Sequence, residues 1–172
     1  MKIQKNLDGN LGGSLRSDVY TVYANYFVKY IQKGNDVYAI TVQNEPLYAA
    51  NNYPGMLMSA QEQSNFIGNY LDPALASAGI KTKIVTYDHN YDNIDYANSV
   101  CADKNAQKFV CGAGFHHYYG VESNILAFKT QNSAKEMWIT EAGFGLWVGN
   151  SLQQFEQQMT RMIRTSRYWS KG

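Results

Sequence analysis

The sequence of 172 residues lacks several features that identify common classes of protein. It has only two cysteines, Cys101 and Cys111, without a Cys-x-x-Cys pair or a Cys/His spacing typical of a metal site. We therefore expect two small buried thiols, with a disulfide as the alternative. Neither a phosphate-binding loop nor a dinucleotide fingerprint nor a cluster of metal ligands is visible, so no cofactor and no metal ion are predicted.

The sequence is also short of excess charge and of long apolar runs. Its 15 lysine and arginine residues nearly balance 14 aspartate and glutamate residues, and no basic run occurs. This balance argues against nucleic acid and anionic membranes as partners. The apolar runs fall far short of the roughly 20 residues that a membrane-spanning helix needs. No apolar signal segment follows Met1, so neither a membrane span nor a targeting signal is predicted.

Aromatic residues, in contrast, are abundant. The chain contains 14 tyrosines and 3 tryptophans, whose amphipathic rings suit carbohydrate faces and ordinary protein cores alike. Its length is sufficient for one domain with a sizeable core.

Helical and strand-like patterns alternate along the chain. Apolar residues recur at helical spacing from Tyr20 to Ile31, where Ser14 or Ser17 is a candidate cap. The run from Val37 to Val42 has almost no alternation, as in a strand covered on both faces. The order helix, strand, helix predicts a parallel sheet. The remaining predicted elements are a helix from Ser59 to Gly79, a strand Thr82–Tyr87, a helical stretch over about Ile94–Phe109 that is interrupted near Asp103, a strand Phe109–Phe115, a helix near Glu122–Lys129, a strand Glu136–Thr140 and a helix from Ser151.

Two of these helices carry further signals. Ser59 and Glu62 form a capping-box pattern, and Pro73 is expected to break or kink the same helix. The last helix has an apolar face, which we interpret as core rather than as a cofactor site. That face consists of Leu152, Phe155, Met159, Met162 and Ile163.

Each predicted strand ends in polar side chains. They are Asn44 and Glu45, Asp88 and Asn90, His116 and Tyr118, and Glu141. In parallel α/β architectures the carboxyl ends of the strands form the edge where ligands bind. Each group also has a simpler interpretation, since Glu45 could merely begin a loop, Asp88 could cap a helix, and histidines in aromatic strands are often packing residues. Four such strand ends on one edge favour a functional site.

Two glutamates on separate strand ends suggest a paired-carboxylate reaction, of which glycoside hydrolysis is the leading case. One carboxyl group, in its protonated form, protonates the leaving oxygen, while the other, ionised, attacks the anomeric carbon. A separation of about 5–5.5 Å gives retention through a covalent intermediate, and a larger one leaves room for direct attack by water. The candidates for these two roles are Glu45 and Glu141.

Four motifs, AITVQNEP, TYDHNYD, GFHHYYG and MWITEAGFG, occur in this order along the chain. Together they resemble glycoside hydrolase family 30, the glucosylceramidase-like retaining β-glycosidases, which include β-1,6-glucanases and xylanases. The resemblance extends from LGGSL near the start to RTSRYWSKG at the end. It implies an α/β fold, a segment of a (β/α)8 TIM barrel covering about strands four to seven with their helices.

The resemblance also implies roles for individual residues. Glu45 would be the general acid/base and Glu141 the nucleophile, and Asn44 would hydrogen-bond the sugar 2-hydroxyl. His116 and Tyr118 would orient the nucleophile. The sugar pocket would be completed by Asp88 and Asn90 along one side and by Trp147 as an aromatic wall. By strand parity we expect His117 to pack outward and Trp138 to lie between its strand and the helices.

Compared with the family, residues 1–172 correspond to one partial catalytic domain. The resemblance implies that strands one, two and eight are missing, that Met1 is an internal methionine of a longer gene, and that a further chain or segment completes the barrel. The expected substrate is a β-glucoside, such as glucosylceramide or β-1,6-glucan. A xylan-directed hydrolase and an inactive carbohydrate-binding fragment are the alternatives. The sequence does not indicate a compartment, although the resemblance suggests a secreted or periplasmic protein.

Overall fold

The computed structural model describes residues 17–34, 36–50, 55–143 and 151–169. Within them, four parallel strands form one sheet in the order β1-β2-β3-β4. The strands are β1 (Ala39–Thr41), β2 (Lys83–Asn90), β3 (Val110–His116) and β4 (Glu136–Glu141). Because consecutive strands are neighbours and all are parallel, every carboxyl end lies on the same edge of the sheet.

Helices alternate with the strands as the sequence patterns predict. They are α1 (Tyr20–Gln32), α2 (Ala60–Phe66), α3 (Asp72–Ser77), α4 (Ile94–Ala102), α5 (Asn124–Gln131) and α6 (Ser151–Trp169). The capping box before α2 is confirmed, since the Glu62 amide donates to Ser59 Oγ and the Ser59 amide donates to Glu62 Oε2. The cap of α1 was predicted wrongly. Val19 occupies that position after a 3-10 turn that begins at Ser17, and Ser14 lies outside the described residues.

Pro73 does not break the helical segment that follows Ser59. A π-helical turn at Ile67–Leu71 joins α2 to α3, and Pro73 lies at the start of α3. Proline is tolerated there because the wider turn before it changes the hydrogen-bond register. The predicted interruption is therefore a π-helical turn within a continuous helical segment.

The strand before His89 is longer than predicted. β2 continues through Asp88 to Asn90, and its pairing with β3 shifts register between Tyr87 and His89. Tyr87 and Asp88 have positive φ values of 73° and 60°. Such a bulge turns the side chains that follow it and cannot be recognised from hydrophobic alternation. The first strand, in contrast, is shorter than predicted and pairs with β2 over three residues.

Two glycines allow β3 and β4 to approach each other closely. A methyl group on Gly112 would lie 2.0 Å from the backbone oxygen of Glu136, and one on Gly114 would lie 2.8 Å from the Thr140 side chain. Only glycine, which has no side chain, permits this close approach of the two strands.

The sheet is strongly concave on one face. Tyr38, just before β1, and Trp138, in β4, have ring centroids 5.8 Å apart, although flat outer strands would lie about 14 Å apart at the usual spacing. Lys83 of β2 also forms a 2.6 Å ion pair with Glu136 of β4. Trp138 therefore reaches across the concave face to the residue that precedes β1 at the other edge of the sheet. Its predicted position between strand and helices is wrong.

An apolar core lies between the convex face and helices α1 to α5. Its largest fully buried side chains include Tyr20, Phe66, Tyr87, Phe115 and Phe128. Phe115 makes an edge-on ring contact with Phe128 of α5 at 5.6 Å, which attaches this helix to β3.

The last helix is not buried as predicted. Its apolar side chains, expected to be core, are exposed by 38% to 66%, whereas Gln154 and Thr165 are buried. Thr165 reaches the fully buried Tyr91, with 3.1 Å between their hydroxyl oxygens. Helix α6 therefore attaches through polar residues and leaves exposed the face made of Leu152, Phe155, Met159, Met162 and Ile163.

Candidate active site

Glu45 lies four residues beyond the end of β1, where the chain turns away from the sheet. It has a φ of 46°, and its amide donates to the carbonyl oxygen of Asp88 at 2.9 Å. Pro46, which has no amide hydrogen, follows it and is buried. The Glu45 side chain is 17% exposed and lines a cleft of about 540 Å³ at the carboxyl edge of the strands. Other residues lining this cleft include Leu47, Tyr48, His89, Asn90, Tyr118, Tyr119 and Glu141.

His116, at the end of β3, contacts three carboxyl groups. Its Nδ1 lies 3.3 Å from Glu45 Oε1, and its Nε2 lies 3.1 Å from Asp88 Oδ1 and 3.7 Å from Glu141 Oε2. Burial alone lowers the pKa of His116, but Asp88, Glu141 and Glu45 outweigh it and raise the pKa above its usual value. The imidazole therefore holds its proton more strongly than usual and links the two glutamates.

Asp88 is the buried acceptor of this network. Thr41 of β1 donates to Asp88 Oδ2 at 2.6 Å, and the Thr140 side chain of β4 lies near the same carboxyl group. Burial alone raises the pKa of Asp88, but the polar contacts with His116, Thr140 and Thr41 lower it overall. Asp88 therefore remains an ionised acceptor and fixes His116.

Glu141, the last residue of β4, is oriented by Tyr118. The Tyr118 hydroxyl donates to Glu141 Oε1 at 2.8 Å. Burial, this hydrogen bond and the charges of Glu141 and Glu45 raise the pKa of Tyr118 to about 12. Tyr118 therefore remains a neutral donor at neutral pH, and Glu141, with 46% of its side chain exposed, faces the cleft.

Asn90 positions the loop that carries Tyr118. Its side-chain oxygen accepts from the amides of Tyr118 at 3.1 Å and Tyr119 at 3.2 Å. The hydroxyl of Tyr87 donates to the Asn90 carbonyl oxygen at 2.6 Å, which fixes the end of β2. Asn90 is 5% exposed, so most of its side chain is committed to this loop.

Comparison with known proteins identifies the family of this chain. Residues 1–164 match the model of the glycosyl hydrolase family 30 TIM-barrel domain. The chain belongs to this family. An endo-1,6-β-D-glucanase of Aspergillus fumigatus is 37% identical over 159 residues, covering 82% of this chain and 32% of that protein. A putative glucosylceramidase of Caenorhabditis elegans is 31% identical over 149 residues, covering 80% of this chain and 28% of that protein.

The fold agrees with that of a solved glucanase structure. The endo-β1,6-glucanase BT3312 superposes with a TM-score of 0.87 at 34% identity, covering 95% of this chain and 39% of that one. The prediction of a partial TIM barrel is therefore confirmed. The chain spans about a third of the length of the curated relatives it matches.

The structure brings together most of the site residues predicted from the sequence. Glu45, Asp88, His116 and Glu141 form one connected group, with Tyr118 bound to Glu141 and Asn90 supporting Tyr118. Asn44 is exposed next to Glu45, and its backbone oxygen accepts from the Gln43 side chain. Trp147 lies outside the described residues.

The two remaining histidines, His89 and His117, lie in different surroundings. His89 was not assigned a role, yet its Nδ1 lies 3.8 Å from Glu45 Oε1, and burial lowers the pKa of its ring. The bulge at Asp88 brings it to the cleft, and no sequence pattern signals that bulge. His117 is 5% exposed and accepts from the Gly143 amide at 3.2 Å, away from the two glutamates.

Within the described part of the chain, no helix is both long and apolar enough to cross a membrane.

Proposed function

We propose that this chain contains the catalytic residues of a retaining β-glycoside hydrolase. The observation that carries the proposal is the convergence of Glu45 and Glu141 on opposite nitrogens of the same imidazole ring, that of His116. Both carboxyl groups also line one cleft, so both can reach a single sugar residue. Paired carboxyl groups that flank a glycosidic bond are the usual catalysts of glycoside hydrolysis.

In the first step Glu141 attacks the anomeric carbon while Glu45 gives its proton to the departing oxygen. A glycosyl-enzyme ester forms and the glycosidic bond breaks. In the second step Glu45 takes a proton from water, whose oxygen attacks the anomeric carbon and releases Glu141. Two displacements at the same carbon retain its configuration.

The surrounding contacts support this division of roles. Glu141 accepts from Tyr118 at 2.8 Å, which fixes one oxygen, while the other lies 3.7 Å from His116 Nε2 and the side chain lines the cleft. Glu45 lies on a loop at the end of β1, where its side chain approaches the substrate from another direction. Asn44 is proposed to bind the 2-hydroxyl of the sugar and Trp147 to form an aromatic wall, while Asp88 and Asn90 complete the pocket.

We propose β-1,6-linked glucan as the preferred substrate. The 1,6-β-glucanase relative is more similar in sequence than the glucosylceramidase relative, at 37% against 31% identity. The solved structure with a TM-score of 0.87 is also an endo-β1,6-glucanase. Glucosylceramide is the second candidate, because the Caenorhabditis elegans relative is named a putative glucosylceramidase.

Hydrolysis by the purified chain tests the reaction. Release of nitrophenol from an aryl β-glucoside should fall about 100- to 10,000-fold with Glu45→Gln, and to background with Glu141→Gln. Glu136→Gln is the matched control, because Glu136 lies at the opposite end of β4 and pairs with Lys83. Nuclear magnetic resonance of the reaction should detect the β-anomer of the released sugar first, because the configuration is retained. Turnover that survives both active-site variants would contradict the proposal.

Side-by-side assays on β-1,6-glucan, glucosylceramide and xylan test the substrate. We expect β-1,6-glucan to be cleaved fastest, whereas faster cleavage of xylan would favour the xylan-directed alternative. Saturable binding of a β-1,6-linked oligosaccharide without any product would instead identify an inactive carbohydrate-binding fragment.

A further inference from the structure

Three potential metal ligands lie together beside the cleft, two on residues that line it and one on the buried His116. They are Glu45 Oε1, a ring nitrogen of His89 and a ring nitrogen of His116, and these atoms all lie within 4.8 Å of one another. The carboxylate oxygen is 3.3 Å from His116 Nδ1 and 3.8 Å from His89 Nδ1. The ligands come from the loop after β1 and from the ends of β2 and β3, so the sheet itself supports the group.

These distances suit a small divalent transition metal. Bonds of about 2.0–2.2 Å in tetrahedral geometry place neighbouring ligand atoms about 3.3–3.6 Å apart. The pair formed by Glu45 and His116 already meets this spacing, and the pair formed by Glu45 and His89 needs to close by a few tenths of an ångström. The two histidine nitrogens lie within 4.8 Å of each other, so binding a cation would draw the imidazole rings together where they exceed the tetrahedral spacing. The remaining coordination position would face the cleft, where water could occupy it.

Asp88 supplies the outer support that such a site needs. Metal-binding histidines usually donate their second ring nitrogen to a carboxylate, which fixes the ring and its tautomer. Nε2 of His116 lies 3.1 Å from Asp88 Oδ1, so a neutral ring that keeps its proton on Nε2 has Nδ1, 3.3 Å from Glu45 Oε1, as the nitrogen that binds the cation in place of a proton. Thr41 in turn donates to Asp88 Oδ2 at 2.6 Å and fixes this carboxyl group.

We propose that Glu45, His89 and His116 form a binding site for a divalent cation of the Zn²⁺ class. Two imidazoles and one carboxylate select Zn²⁺ over Mg²⁺ or Ca²⁺, which prefer all-oxygen sites with more ligands. A bound cation occupies the oxygen of Glu45 and therefore stops proton transfer to the leaving group. This inhibitory consequence rests on the proposed function, but the binding site itself does not.

Calorimetric titration of the tag-free chain with zinc chloride measures binding without any assay of activity. We expect one saturable site, weakened about 10- to 100-fold by Asp88→Asn and more strongly by His89→Gln or by Glu45→Gln. The matched control is His117→Gln, because His117 is the third and last histidine of the sequence and contacts Gly143 instead. Affinity in this control should equal that of the unaltered chain.

Co²⁺ provides a spectroscopic test in the same variants. Binding should give visible absorption from a nitrogen and oxygen environment, lost in His89→Gln and kept in His117→Gln. Glu45→Gln provides a second ligand variant at a partly exposed position should His89→Gln fold poorly, as judged by circular dichroism. The proposal is overturned by the absence of saturable Zn²⁺ binding, by equal affinity for Mg²⁺, by an unchanged affinity in Glu45→Gln, or by a near-ultraviolet band that identifies cysteine ligation. If binding occurs while hydrolysis is absent, the metal site stands and only the proposed function fails.

Discussion

Glu45, Tyr87 and Asp88 have backbones in the left-handed region, and the other described residues with positive φ are glycines. A non-glycine residue in a sparsely populated conformation costs about 1–3 kcal/mol and persists where surrounding contacts determine it. Tyr87 is fully buried, and its ring lies 5.4 Å from that of Tyr96. The left-handed backbone at these residues directs Asp88 toward His116 and turns the chain into the loop that carries Glu45.

Tyr118→Phe should slow hydrolysis while leaving the fold intact. The change removes the hydroxyl that donates to Glu141 Oε1 at 2.8 Å. A hydrogen bond to a charged group contributes about 1.5–3 kcal/mol, so we expect kcat to fall about 10- to 100-fold. Steady-state kinetics on an aryl β-glucoside measure the loss. Tyr119→Phe is the control, since its ring is 69% exposed in the same loop, and an equal loss there would contradict the assigned role.

The two thiols should differ in reactivity. Both cysteines are free in the structure, with Cys101 buried and Cys111 partly exposed. Burial raises the pKa of Cys101 to about 11 and also raises the pKa of Cys111. Because the thiolate is the reactive form, labelling by a disulfide reagent should be slow at pH 7 and about tenfold faster per pH unit below the pKa.

Variants distinguish the two thiols. Cys111→Ser should remove the faster phase of labelling, whereas Cys101→Ser should leave it unchanged. A fast phase that depends on Cys101 would show that the buried position assigned to this thiol is wrong.

At the scale of elements, helix α6 joins the domain through polar contacts. Thr165→Val keeps the shape of the side chain but leaves the buried hydroxyl of Tyr91 without its partner at 3.1 Å. An unsatisfied buried polar group costs about 1–3 kcal/mol, so the free energy of unfolding should fall by that amount. Urea denaturation measures the change. Thr160→Val is the control in the same helix, because Thr160 is exposed and should shift stability by less than about 0.5 kcal/mol.

At the scale of the whole molecule, the described sheet has two open edges. β1 and β4 each have one neighbour among the described strands, and Tyr38 is 65% exposed near the concave face. The apolar face of α6 adds a second patch. Unpaired strand edges and contiguous apolar patches promote association between chains.

Concentration-dependent association of the purified chain is therefore expected. Light scattering after size-exclusion chromatography should record a rising average mass, and Met162→Glu should lower it by placing a charge in the exposed apolar face of α6. Gln157→Glu introduces the same charge at an exposed polar position and should leave the mass unchanged. A monomer at all concentrations would show that the patch does not drive association.

The sequence by itself determined the order of helices and strands, the parallel sheet and the polar side chains that converge at the carboxyl edge of the described strands. Each of these depends on local physics, such as the spacing of apolar residues, the capping box at Ser59 and the polar residues that end β3 and β4. Strand ends on one edge of a parallel sheet must converge, which is why Glu45 and Glu141 could be paired in advance.

Only the tertiary structure decided how those groups contact one another. The bulge at Asp88, the link through His116 and the approach of His89 depend on how β2 pairs with β3, and pairing across strands leaves no local pattern in either segment. The exposure of the α6 apolar face was also decided only by the tertiary structure. Periodicity shows that a helix has two faces but not which face packs against the rest of the protein. Burial and contact are properties of the assembled chain, and they set the geometry and the charge of this site.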